Sequence, residues 1–400
     1  MLRTPAEGSQ SPAVADEAIA PVSLVMPRVV FGRGAVARLG DVAAGLGGAA
    51  ALLVCDPALR DYGVVDRAGL LLRQAGLKVQ LFDGVSPNPD LATIEASTAA
   101  ARRAGSDLVV GLGGGSALDV AKATALSAAA AVDFASLLYG DVEPCGILRK
   151  VMVPTTAGSG SEVSRAVVVS DERTGRKAGL HIDLLLADVA VVDPDLTLTL
   201  PPPVTADTGI DALAHAVEAY LAANASPLSD AVALRAFELV WKQLPVAWRD
   251  GSDAEARSAV AAGSVMGGMA FTWAGLGAVH ALAYPLTTEQ GLSHGRANAV
   301  MLPHVLPFNL AVRPEKAAAL TRSIGLEPCS DAEVAKPLAS AIGEFVRGLG
   351  ISTRLRDYGV KQEAIAAMAA SAVDAGGRLL TTNPRPLAVE QAVRILEAAW

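Results

Sequence analysis

Short apolar runs alternate with longer amphipathic stretches through the first half of the chain. Ala50–Cys55 (AALLVC), Lys78–Phe82, residues 108–112 (LVVGL), residues 151–154 and Val189–Val192 (VAVV) read as strands. Residues 66–74, 91–103 and 117–129, lying between them, carry helical spacing. Strand and helix in alternation predict right-handed crossovers and a mostly parallel sheet. The pattern changes at Pro201-Pro202-Pro203, which can continue neither a strand nor a helix interior. From there to Trp400 the chain reads as long Ala- and Leu-rich helices. The expected organisation is a flexible extension over 1–24, an α/β unit over 25–200 and a helical unit over 201–400.

Composition narrows the class. With 400 residues, 52% of them hydrophobic, the chain is long enough for two sizeable cores. A formal net charge of -8 repels phosphate backbones, so nucleic acid is not an expected partner. No apolar run approaches the roughly 18–20 residues of a membrane span. The N-terminal stretch, rich in Ala, Pro, Ser and Glu, lacks the basic start and apolar run of a signal peptide. Cys55, Cys145 and Cys329 are scattered and form neither a disulfide framework nor a zinc knuckle. The expected location is the cytoplasm.

Two loops suit a dinucleotide. Gly111-Leu112-Gly113-Gly114-Gly115-Ser116 joins a strand to a helix beginning near Ala117. Glycines let backbone N–H groups approach a pyrophosphate, and the helix N-terminus adds a favourable dipole. The spacing is not GxGxxG, and a plain tight turn is the alternative. Asp119 and Lys122 follow in the first turns of that helix, as a site pair or an ordinary local pair. A second loop, from Pro154 through Thr155, Thr156 and Ser159 to Glu162, is dense in hydroxyls and glycine and follows another strand. Asp56 ends an earlier strand. There it suits an adenosine ribose and disfavours a 2′-phosphate, pointing to NAD over NADP; a strand-end turn former is the bland alternative.

Three of the five histidines sit in a ligand-like pattern. Asp211 and His215, in GIDALAHAVEAYL, are four apart and so share one helical face. His280 lies in GLGAVHALAYPL and His294 in GLSHGRAN. Together they make an N3O set suited to Fe2+ or Zn2+. Ordinary core or surface histidines are the competing reading, and His181 and His304 are taken as structural.

At these residues the chain resembles the iron-containing, or group III, alcohol dehydrogenases. The likeness runs from about Met26 to the C-terminus. It rests on GGGSALDVAK, PTTAGSGSEVS, VDPDLTLTLPP, TGIDALAHAVEAY and HGRANAVMLPHVLPFN. The resemblance implies a dinucleotide-binding α/β domain, a helical domain, and an active site in the cleft between them. It implies a metal held by Asp211, His215, His280 and His294. It implies nucleotide contacts from Asp56, Asn88, Gly114, Gly115, Ser116, Asp119, Thr155, Thr156, Ser159, Ser164 and Lys177, and a substrate pocket that includes Phe271. A homodimer and a small alcohol or aldehyde substrate are implied in the same way.

One departure from the family pattern stands out. Many members carry a second histidine four residues after the third ligand, where this chain has Tyr284. Tyr284 is therefore expected either to relay a proton or to wall the pocket. Residues 287–292 (TTEQGL) also differ from the glycine and aromatic residues often found there. Maleylacetate reductases, glycerol dehydrogenases and hydroxyacid–oxoacid transhydrogenases share the outline and are the rival activities. A degenerate, non-enzymatic member is the reading from another class.

Overall fold

A computed structural model describes residues 23–171, 176–328 and 335–400. The expected extension lies outside the described residues up to position 22, as does Cys329.

Six strands form one sheet: β1 (Arg28–Phe31), β2 (Ala50–Cys55), β3 (Lys78–Phe82), β4 (Leu108–Gly113), β5 (Arg149–Pro154) and β8 (Val189–Val192). Their order is β1-β8-β5-β4-β2-β3, and every neighbouring pair is parallel. The remaining strands, β6 (Ala166–Asp171) and β7 (Arg176–His181), make a separate antiparallel hairpin.

Residue alternation places helices on both faces of the sheet. Leu52, Val54 and Val109 pack with Ile94 of α3 (Leu91–Ala104) and Leu118 of α4 (Gly115–Ala130). Leu53, Cys55 and Val110 pack on the other side with Leu39 of α1 (Leu39–Gly45) and Leu72 of α2 (Val64–Gln74). Burial on both faces is why the central strands read as unbroken apolar runs. The chain leaves β2 toward one face and adjacent β4 toward the other. A crevice therefore opens beyond their carboxyl ends, where open α/β sheets take ligands.

A short helix, α5 (Phe134–Leu138), follows α4. Among the described residues no strand follows Val192. The expectation of a proline break at 201–203 is refined: Pro202 and Pro203 occupy the first turn of α6 (Pro202–Leu221), where a missing N–H costs nothing. Then come α7 (Pro227–Arg249), α8 (Ala254–Ala274), α9 (Ala278–Thr288), α10 (His294–Leu310), α11 (Pro314–Ser323), α12 (Ala335–Gly348), α13 (Ile365–Thr382) and α14 (Val389–Ala399). Buried faces of α6 to α10 share one core with Leu338 of α12 and Met368 of α13. Among the described residues no single helix is long and apolar enough to cross a membrane.

Candidate metal centre and nucleotide cleft

The middle of α6 is buried on every side, and there it carries Asp211 and His215 one turn apart. His280 comes from the first turn of α9, and His294 is the first residue of α10. The Oδ1 atom of Asp211 lies 3.9 Å from Nε2 of His215 and 3.8 Å from Nε2 of both His280 and His294. Ligands about 2.1 Å from a tetrahedral ion would lie roughly 3.4 Å apart, so the set is slightly expanded around one point. Asp211, His215 and His280 are buried, whereas the His294 side chain is 36% exposed and marks the open side.

Asn298, one turn after His294, tests whether this point suits a cation. Its Nδ2 donates to Oδ1 of Asp211 at 2.7 Å and lies 3.1 Å and 3.2 Å from Nε2 of His280 and His294. Three acceptors thus converge on a group with two hydrogens. A focus of lone pairs from three imidazoles and a carboxylate fits a divalent ion such as iron or zinc.

The ring orientations have separate causes. The Nδ1 atom of His215 lies 3.2 Å from the Gly158 carbonyl, and Nδ1 of His280 lies 2.5 Å from Oε2 of Glu218. An acceptor at Nδ1 keeps the proton there and leaves Nε2 free to ligate. Among the described residues His294 has no hydrogen-bond partner at Nδ1. Its backbone is fixed instead by Asp207, which accepts from Ser293 Oγ at 2.7 Å and Arg296 Nε at 2.6 Å.

Burial pushes the His215 imidazole down to about 4. For His280 burial acts in the same direction, but the Glu218 carboxylate overrides it and lifts the group above its ordinary value. Burial would raise Asp211, yet the surrounding imidazoles hold it below the usual carboxylate range.

Glu218 and Asn298 were not among the residues singled out from sequence. Both carry a signal in hindsight. Glu218 is three residues beyond His215 and Asn298 four beyond His294, so each continues the helical face of a clustered histidine. His181, at the end of β7, and His304, which meets the Thr353 carbonyl at 2.8 Å, stand outside the cluster.

The nucleotide candidates gather at the carboxyl edge of the sheet. Gly114 is the N-cap of α4, which begins at Gly115 rather than Ala117. Ser116 donates to the Pro87 carbonyl at 2.7 Å, drawing the exposed Asn88 loop beside this turn. The second loop is tied to the first by Thr155 N–H, which donates to Gly113 O at 2.9 Å. A Cβ on Gly114 would lie 3.6 Å from the Thr156 side chain, and one on Gly115 would lie 2.9 Å from Ser159 Cβ.

Several of the expected contacts are engaged inside the fold. Asp119 accepts from Ser161 Oγ at 2.5 Å and from Val168 N–H at 2.9 Å, and pairs with Lys122 at 3.2 Å. Ser164 is buried and meets Lys122 Nζ at 3.3 Å. Lys122, fully buried, also donates to the carbonyls of Ser161 and Ala166. This group braces the second loop against α4. Asp56 caps the turn after β2, accepting from Ala58 N–H at 2.8 Å.

Burial lowers the pKa of Lys177, on β7, against the carboxylates of Asp211 and Asp119, which raise it. Phe271 of α8 tilts against the His215 ring at 4.6 Å between centroids. Tyr284, one turn after His280, has its phenol pushed up to about 12, first by burial and then by Glu218.

A parallel sheet with paired glycine-rich loops facing an N3O cluster defines a nucleotide-using, metal-dependent oxidoreductase. Residues 27–194 match the family model described as iron-containing alcohol dehydrogenase, and residues 205–400 match that of the family's C-terminal part. The chain is 40% identical over 384 residues to long-chain-alcohol dehydrogenase 1 of Geobacillus thermodenitrificans, covering 93% of this chain and 96% of that protein. A 1,3-propanediol oxidoreductase crystal structure superposes with a TM-score of 0.91 at 36% identity, covering 95% of this chain and all of the other. Sulfoacetaldehyde reductase from Bifidobacterium kashiwanohense, solved in complex with NAD+, matches with a TM-score of 0.86 at 30% identity, over 95% and 99% of the two chains. The chain belongs to the iron-containing alcohol dehydrogenase family, and is an NAD(H)-dependent alcohol dehydrogenase or reductase.

Proposed function

We propose that this enzyme interconverts a small alcohol with its aldehyde or ketone at an iron or zinc ion held by Asp211, His215, His280 and His294. The observation that carries the reading is the convergence of three imidazole Nε2 atoms on one carboxylate oxygen at 3.8–3.9 Å, open to the cleft on the His294 side. When bound, the metal supplies Lewis acidity toward the substrate oxygen and the nicotinamide supplies hydride chemistry.

The protein's own residues do the rest. Glu218 and the Gly158 carbonyl aim two imidazoles. Asp56, Asn88, Gly114, Gly115, Ser116, Thr155, Thr156, Ser159 and Lys177 line the path assigned to NAD(H), and Asp119 with Ser164 holds that path in shape. Phe271 and Tyr284 wall the substrate pocket and keep water from the reacting carbon. A phenol at about 12 keeps its proton near neutrality, which favours Tyr284 as wall and hydrogen-bond donor over Tyr284 as relay. Family resemblance extends the reading to a homodimer in the cytoplasm.

The test is metal analysis of chelator-free protein together with NADH oxidation over aldehydes, keto acids and maleylacetate. Metal near one equivalent and turnover with aldehydes or ketones, both lost in folded Asp211→Ala, are expected. Turnover confined to maleylacetate, or activity persisting without the carboxylate, would overturn the assignment.

A further inference from the structure

Gly158 belongs to the second nucleotide loop, yet its carbonyl meets Nδ1 of His215, a residue assigned to the metal. That loop is anchored at its start by Thr155 N–H on Gly113 O. Its far end is anchored by Lys122, which holds the Ser161 carbonyl at 3.1 Å. Between these anchors the loop lies directly on the helical part. A Cβ on Gly158 would come 2.7 Å from the Thr208 Cβ and carbonyl of α6. One on Gly160 would come 2.6 Å from Gly268 Cα of α8. Neither glycine has room for a side chain of its own, so the loop backbone rests closely on α6 and α8, and a shift of the loop moves the His215 hydrogen bond with it.

We infer that Gly158 is a positioning residue through which metal and nucleotide binding are linked. The inference rests on the metal and NAD(H) assignments made above. A cation on Nε2 withdraws charge from the imidazole and makes Nδ1–H a stronger donor. The bond to Gly158 tightens and holds the loop in the position that meets the pyrophosphate. Linkage is reciprocal: whatever factor the metal adds to nucleotide affinity, the nucleotide adds to metal affinity. Coupling of this sort runs to about 5–150-fold.

The experiment measures NADH and ADP-ribose affinity of the full-length enzyme in metal-free and zinc-loaded forms, and zinc affinity with and without ADP-ribose. ADP-ribose lacks the nicotinamide and so reports on the loop alone. Zinc should tighten both ligands at least fivefold, and ADP-ribose should tighten zinc by the same factor. Gly158→Ala should weaken zinc severalfold although it removes no ligand, with circular dichroism checking its fold; the wild-type cycle stands if that variant fails to fold. Affinities equal within twofold would overturn the linkage. Coupling seen with NADH but not ADP-ribose would assign it to the nicotinamide and overturn the loop route. Absence of zinc or nucleotide binding would overturn the underlying assignments first, which separates the two failures.

Discussion

Glu218 Oε2 lies 2.5 Å from His280 Nδ1, while its other oxygen accepts from Val279 N–H at 2.7 Å. One carboxylate thus pins both the His280 ring and the backbone just before it at the start of α9. Replacing it with glutamine inverts one partner. The amide oxygen can keep the Val279 bond, but the amide nitrogen donates to Nδ1 and drives the imidazole proton onto Nε2, where the metal must bind. Glu218→Gln is expected to stay folded and to lose about 10–100-fold in zinc affinity by chelator competition. The visible spectrum of the cobalt-loaded variant should also change, reporting an altered ligand set. Unchanged affinity and spectrum would show that His280 needs no such partner.

Tyr284 is predicted not to carry the proton. Its phenol, at about 12, is a weak acid throughout the working range. Tyr284→Phe should keep kcat within about threefold and leave the limbs of its pH profile in place, with KM absorbing any change in pocket fit. A collapse of kcat, or loss of one limb, would restore the relay role.

Glu162 gives the clearest pH signature. Burial pushes its carboxyl up to about 7, against the backbone and Lys122, which pull it down. The folded state therefore binds a proton between the unfolded value near 4.5 and about 7. Stability from this group is full below 4.5 and is lost as pH rises through 7. At 1.36 kcal/mol per unit the loss is on the order of a few kcal/mol. Denaturant titrations at pH 5 and pH 8 should show wild type falling more than Glu162→Gln. Parallel changes in both proteins would place the pH dependence elsewhere.

Legibility in the sequence followed burial for the central strands, while the half-exposed edge strand β3 was read with its observed bounds as well. β2, β5 and β8 were readable because they are apolar on both faces. β1 was not: it is a four-residue edge strand with exposed ends. The β6–β7 hairpin was also missed, because its half-buried strands mix valines with charged and polar residues and stand apart from the six-stranded sheet. Asp211 and His215 were linked by spacing within one helix, and His280 and His294 joined them only through their glycine-flanked and apolar contexts until the resemblance strengthened the set. Nothing local marks a glycine carbonyl as a partner of a histidine 57 residues away, so the His215–Gly158 contact appears only in three dimensions.

The joint between the two nucleotide loops yields a prediction with a built-in rescue. Gly115 opens α4 with no room for a side chain: a Cβ would lie 2.9 Å from Ser159 Cβ and 3.0 Å from its Oγ. Gly115→Ala must push the second loop away from the first, at a cost of about 1–3 kcal/mol for overpacking. Since about 1.4 kcal/mol is tenfold in affinity, KM for NADH should rise about tenfold or more, with a smaller effect on kcat. Removing the obstacle should reverse this. Ser159→Gly deletes both crowding atoms, so the double variant Gly115→Ala/Ser159→Gly should bind NADH more tightly than Gly115→Ala alone. Steady-state kinetics of the four proteins closes the cycle. Additive effects, with no rescue, would mean that the two loops do not meet at this joint when the nucleotide is bound.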